Sequence, residues 1–116
     1  MVHSEISFHR RTPSEVITET IEPTWLISIS HQNLQALYDK FPAAEKLGRL
    51  FATEMYIIKD KRFFEILKKS TREIFLDYMK THPQMLQRVP QKYIASYLNI
   101  KPETFSRLKH LLKKKV

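Results

Sequence analysis

The sequence has no cysteine, one glycine, one tryptophan and no long apolar run. Without cysteine there is no disulfide and no thiolate metal site, a composition compatible with a reducing cytoplasm. Nothing approaches the roughly 18 apolar residues that span a bilayer. The opening MVHSEISFHRR lacks the apolar core of a signal peptide. The expected setting is therefore cytoplasmic, with no membrane partner. No Gly-rich phosphate loop is present. His3, His9, His31, His82 and His110 are scattered, with no pair at ligand spacing on one helix, so no metal site is expected. Asp60, Glu65, Glu73 and Asp77 have basic neighbours and read as solvated helix faces. Neither an enzyme nor a cofactor is expected.

What remains is a chain of 116 residues, 42% apolar, enough for one small domain or two very small ones. A chain this short buries a modest fraction of its surface, which makes a core shared with a partner a real option. The net charge of +8 is unevenly placed. Residues 1–58 hold five Lys/Arg and seven Asp/Glu, net −2, whereas residues 59–116 hold fifteen and five, net +10. A polyanion met by the C-terminal half explains this asymmetry. A solvated basic surface explains it without any partner.

Residues 5–30 read as strands. EVITET and TWLISIS are rich in β-branched and aromatic residues, Pro23 offers a turn between them, and Trp25, Ile27 and Ile29 alternate onto one face. Three short strands do not make a self-sufficient sheet, so they predict the end of something larger or the edge of something shared. Ser30 then fits an N-cap, followed by Leu34, Leu37 and Tyr38 at helical spacing, with Pro42 as the stop. Residues 43–69 hold no proline and only Gly48, consistent with one helix about 40 Å long. Leu47, Leu50, Phe51, Ile57 and Ile58 form a stripe at near-heptad spacing, which predicts a self-association seam. The competing reading is a core helix that breaks near residues 59–62. A further helix is expected from about Thr71 to Thr81, ending before Pro83.

Residues 91–110 have the pattern of a helix-turn-helix. Ile94 and Leu98 share a face, and small Ala95 lets a second helix cross closely. Asn99 suits a turn position with positive φ. Ile100 plugs the gap, and Pro102 suits the first position of a helix. Phe105 and Leu108 face inward, which leaves Glu103, Thr104, Arg107 and His110 outward. Such a face can enter a major groove. Arg107 can bond guanine O6 and N7, Glu103 can accept from cytosine, and Thr104 can touch a thymine methyl or a phosphate. Lys101, Lys109, Lys113, Lys114 and Lys115 would meet phosphates, and Ser106 and His110 complete the expected DNA-binding set. A generic amphipathic helical hairpin is the plainer alternative. Tyr93 and Tyr97, four apart, fit packing against the preceding helix better than stacking on bases.

The stretch RVPQKYIASYLNIKPETFSRLK resembles the C-terminal DNA-binding segment of the Crp-Fnr family of bacterial transcription regulators. The variety it is most similar to occurs in Bacteroidetes-type bacteria, where the chain stops soon after the recognition helix. Upstream, LISISHQNLQALYDKFPAAEKLGRLF is similar to the family's last barrel strand, short helix and the start of its dimerisation helix. The resemblance implies a mainly α chain with a small N-terminal β remnant of the sensor barrel (residues 1–42, with the short helix). It implies a long dimerisation helix over 43–69 and a winged-helix-like helix-turn-helix domain over 70–116, the wing absent. It places Pro90–Leu98 and Pro102 to about Lys113 as the two motif helices, with Glu103, Thr104 and Arg107 reading base edges. Pro102 stands where better-known members carry a base-reading arginine, so their operator sequence does not transfer. The ribose-binding Gly-Glu stretch is missing, and TPS with Pro13 stands where nucleotide-binding members carry an Arg-Ser pair. A cyclic nucleotide is accordingly not expected as a ligand.

These readings predict a regulator that binds a two-fold symmetric operator as a homodimer, with RNA polymerase as a further contact. The alternative is an interaction protein that dimerises with a full-length relative through the long helix. A sequence-blind nucleic-acid binder fits less well, because residues 109–116 have no aromatics among their lysines.

Overall fold

The structure, a computed structural model, describes residues 4–113. It is mainly helical, with no strand among the described residues. The chain divides into two compact units, Met1–Tyr56 and Ile57–Val116.

The first unit corrects the strand expectation. Its first element, α1 (Glu5–Arg10), is a helix. Ser4 caps it by accepting from the Ser7 amide at 3.4 Å. Glu5 lies in its first turn and His9 and Arg10 in its last, matching the helix dipole at both ends. Arg11 closes it in the left-handed region, at φ 56°. Residues 12–29 then run without helix or strand, all exposed, with Trp25 and Ile27 fully open to solvent. The β remnant is therefore absent from the described residues. β-Branched and aromatic side chains suit a pleated, half-buried surface, and a strand needs a neighbour for its ladder. Nothing described here supplies either.

Ser30 caps α2 (His31–Lys40), accepting from the Asn33 amide at 3.1 Å. Pro42 opens the next helix, α3 (Pro42–Lys68), instead of merely ending α2. The chain's one glycine sits where α2 folds back on α3. A Cβ at Gly48 would lie 2.8 Å from Cζ of Tyr38, too close for any other residue without displacing that ring. No described residue of this unit is buried.

α3 runs for 27 residues without a break at residues 59–62 and buries none of them. In the second unit it is followed by α4 (Thr71–Thr81), α5 (Met85–Arg88), α6 (Gln91–Tyr97) and α7 (Pro102–Lys113). Here the core forms. Phe75 and Met79 of α4, Ile94 and Ala95 of α6, Leu98 and Ile100 of the turn, and Phe105 of α7 are all buried. The Phe75 and Phe105 rings meet edge to face, centroids 5.1 Å apart at 88°, the arrangement that ring quadrupoles favour.

The entry to α4 is a capping box. Ser70 Oγ accepts from the Glu73 amide at 3.3 Å, and Glu73 Oε2 accepts from the Ser70 amide at 2.7 Å. The Ser70 hydroxyl also donates to Oε2, at 2.8 Å. The backbone bond first, and the hydroxyl bond second, hold the Glu73 carboxyl below its ordinary pKa. A lowered carboxylate pKa stabilises the fold above the unfolded pKa, and that contribution disappears as pH falls through the folded value. Ser70→Ala should cost about 1 kcal/mol at neutral pH, read by chemical denaturation. The difference from the parent should shrink as pH falls below the carboxylate range.

Candidate nucleic-acid interface

The turn between α6 and α7 is fixed by its own chemistry. The Asn99 amide donates to the Ser96 carbonyl at 3.1 Å, and the Ile100 amide to the Ala95 carbonyl at 2.8 Å. This is the paired bonding of a Schellman motif. Its left-handed residue is Asn99, at φ 56°, a conformation that Asn tolerates through its short polar side chain. Ile100 and Ala95, at the two ends of the longer bond, are both buried. The turn thus delivers Pro102 to the first position of α7 and sets which way that helix faces.

α7 is divided by face. Phe105 is wholly buried and Leu108 half-buried. Glu103, Ser106, Arg107, His110 and Lys113 are exposed, as is Lys101 just before the helix. Thr104 and Lys109 are half-buried, a departure from the free outward placement that spacing alone suggests. Thr104 lies beside the buried Phe105, and Lys109 leans toward α6, where its Nζ donates to Gln91 Oε1 at 3.3 Å. Lys114 and Lys115 lie outside the described residues. The side chains of Glu103, Arg107 and His110 make no hydrogen bond or ion pair among the described residues. They are available to an external partner without breaking anything.

Arg62 of α3 was not apparent as part of this architecture from the sequence. Its guanidinium donates to the Tyr97 carbonyl, in the last turn of α6, and lies over the Tyr97 ring at 4.2 Å. The Tyr97 ring in turn tilts against Tyr78 of α4 at 5.8 Å, and Tyr78 stacks on His82 at 4.7 Å. Burial first, then the neighbouring Tyr97, raises the Tyr78 pKa. Both tyrosines are exposed: Tyr97 meets α4 only through Tyr78, and Tyr93 lies beneath Lys92 Nζ at 4.9 Å. Lys69 ties the end of α3 to α4, bonding Asp77 at 2.7 Å and Glu65 at 3.2 Å. These two carboxylates, Asp77 foremost, raise its pKa.

Among the described residues the apolar stripe on α3 is exposed. Leu47 is 67% exposed, Leu50 46%, Phe51 39%, Ile57 38% and Ile58 55%. Phe64, seven residues beyond Ile57, continues the pattern at 46%. Among the described residues no cluster of His, Asp or Glu is placed to hold a metal ion, and no helix is long and apolar enough to cross a membrane. Comparison with known family models, curated proteins and solved structures finds no match to this chain.

Proposed function

We propose that this chain is a sequence-specific DNA-binding transcription regulator of Crp-Fnr type that acts as a homodimer. The observation that carries the reading is the division of α7. Phe105 anchors one side in the core, and Glu103, Ser106, Arg107 and His110 stand solvated and unpaired on the other, except for the Ser106 contact to Gln91. A major groove about 12 Å wide admits such a helix. Arg107 takes guanine, Glu103 takes a cytosine amino group, and Thr104 takes a thymine methyl or a phosphate. Lys101, Lys109, Lys113 and Lys114 meet phosphates and set affinity and register. In this reading α6 and α7 are the helix-turn-helix, and RNA polymerase is a further contact of the bound dimer.

The proposed dimer is supported by α3. An isolated helix owes little of its stability to propensity and most to the packing of an apolar face. Leu50, Ile57 and Phe64 recur every seven residues, the spacing of a seam between two helices, and a second copy supplies a matching seam by two-fold symmetry. Sedimentation at micromolar concentration should show a dimer. Leu50→Glu removes one buried leucine from each subunit and places two carboxylates at the seam. Dimerisation should weaken by about 100-fold or more. DNA bearing two half-sites about 10 base pairs apart should lose its advantage over DNA bearing one.

A second reading is favoured by residues 16–29. Val16, Ile17, Trp25, Leu26 and Ile27 are each at least 60% exposed, and a homodimer brings no strand among its described residues to cover them. Pairing through α3 with a longer relative that carries a sheet would do so. A chain that is monomeric alone at every concentration would contradict the homodimer and leave this reading standing.

A further inference from the structure

We propose that Gln91 is a positioning residue that fixes the hydrogen-bond polarity of Ser106, making its hydroxyl a donor toward DNA. The inference rests on α7 facing a DNA groove, as proposed above.

Gln91, half-buried at the start of α6, uses both ends of its side-chain amide. Nε2 donates to Ser106 Oγ at 2.9 Å, and Oε1 accepts from Lys109 Nζ at 3.3 Å. The direction of this chain is set by Lys109. An ammonium only donates, so it must face the amide oxygen. The amide NH2 group is then left for Ser106, whose oxygen must accept. A hydroxyl has a single proton, and here that proton cannot point at Gln91.

Nor is it spent within the helix. Thr53 donates back to the Arg49 carbonyl at 3.0 Å and Thr81 to that of Asp77 at 2.9 Å. The Ser106 hydroxyl makes no such bond to the Pro102 carbonyl, and among the described residues its one side-chain hydrogen bond is the one from Gln91. The exposed Ser106 Oγ–H is therefore a donor held between Glu103, three residues before it, and His110, four after it, on the same helix. The base-edge acceptors that the major groove offers such a donor are purine N7, guanine O6 and thymine O4. An adenine or cytosine amino group would meet only the remaining Oγ lone pair and leave the hydroxyl proton unmatched. Lys109 keeps two N–H groups for a phosphate while serving as the orienting charge.

The test is a pair of double-mutant cycles on the full chain, binding its preferred duplex at fixed salt. Gln91→Met keeps the volume and removes both hydrogen bonds. Alone, Gln91→Met and Ser106→Ala should each weaken binding by about fivefold, the worth of one ordered hydrogen bond. Together they should also give about fivefold, because one acts through the other. Binding to unrelated duplex should change little in either variant. Gln91→Glu reverses the polarity, since a carboxylate takes the Ser106 proton for itself. It should weaken binding more with Ser106 present than with Ser106→Ala. Losses that multiply to about 25-fold, a silent Gln91→Met, or an equal loss on unrelated duplex would overturn the assignment. A parent chain that prefers no duplex would instead overturn the DNA reading itself, and this inference with it.

Discussion

Phe105→Ala should lower the stability of the Ile57–Val116 unit by about 3–5 kcal/mol, the cost of deleting a buried aromatic ring and leaving its cavity. Phe105 is 0% exposed and meets Phe75, also 0% exposed, edge to face. The ring holds α7 to α4, so its loss frees the helix that carries Glu103 and Arg107. For a unit of this size each kcal/mol shifts the melting midpoint by about 4–8 °C. A fall of at least about 12 °C is therefore expected by circular dichroism. Total stability of small domains is about 5–15 kcal/mol, so the variant should sit near the threshold of folding. Trp25→Ala is the matched comparison. Trp25 is fully exposed, and its removal should change stability by no more than about 0.5 kcal/mol. If the two variants melt alike, the core has been misplaced.

Arg107→Ala should leave the melting midpoint almost unchanged, because Arg107 is exposed and unpaired among the described residues. On the preferred duplex it should cost about 1–3 kcal/mol and relax the preference at one base position. Lys113→Ala separates base reading from phosphate contact. It should weaken all sequences alike and reduce the salt slope by about one. Equal loss on every sequence for Arg107→Ala would make Arg107 a phosphate contact and remove it from the reading face.

Much of the second unit was legible because local chemistry and packing agree there. Asn99 tolerates the left-handed region and occupies it, and Pro102 opens the helix that its fixed φ favours. Phe105 and Leu108 turn inward as their spacing predicts, Phe105 fully and Leu108 in part. Residues 5–30 misled for the opposite reason. Their β-branched and aromatic content describes a surface to lie on, and the described residues contain none. α1 formed instead where Ser4 caps and Arg11 closes a short turn of helix. α5, with four residues, is too short to leave a periodic signal.

Contacts between distant residues were not legible at all. Arg62 reaches Tyr97 across 35 positions, and Gln91 reaches Ser106 and Lys109 across 15 and 18. No spacing rule covers such pairs, since they exist only once the helices have packed. Lys109 shows the consequence. Its spacing on α7 marks it as a free cation, whereas the fold gives it Gln91 as a partner. The stripe on α3 was visible as a pattern, and among the described residues it is exposed.

The measurement that bears most directly on the central claim is selection of bound sequences from random duplex DNA by the purified chain at near-physiological salt. A regulator whose two α7 helices read adjacent grooves should enrich a two-fold symmetric consensus. Its half-sites should be about 10 base pairs apart, or a multiple of that. Enrichment of no sequence, with binding that falls away uniformly as salt rises, would contradict the claim and leave only a basic surface attracted to polyanions.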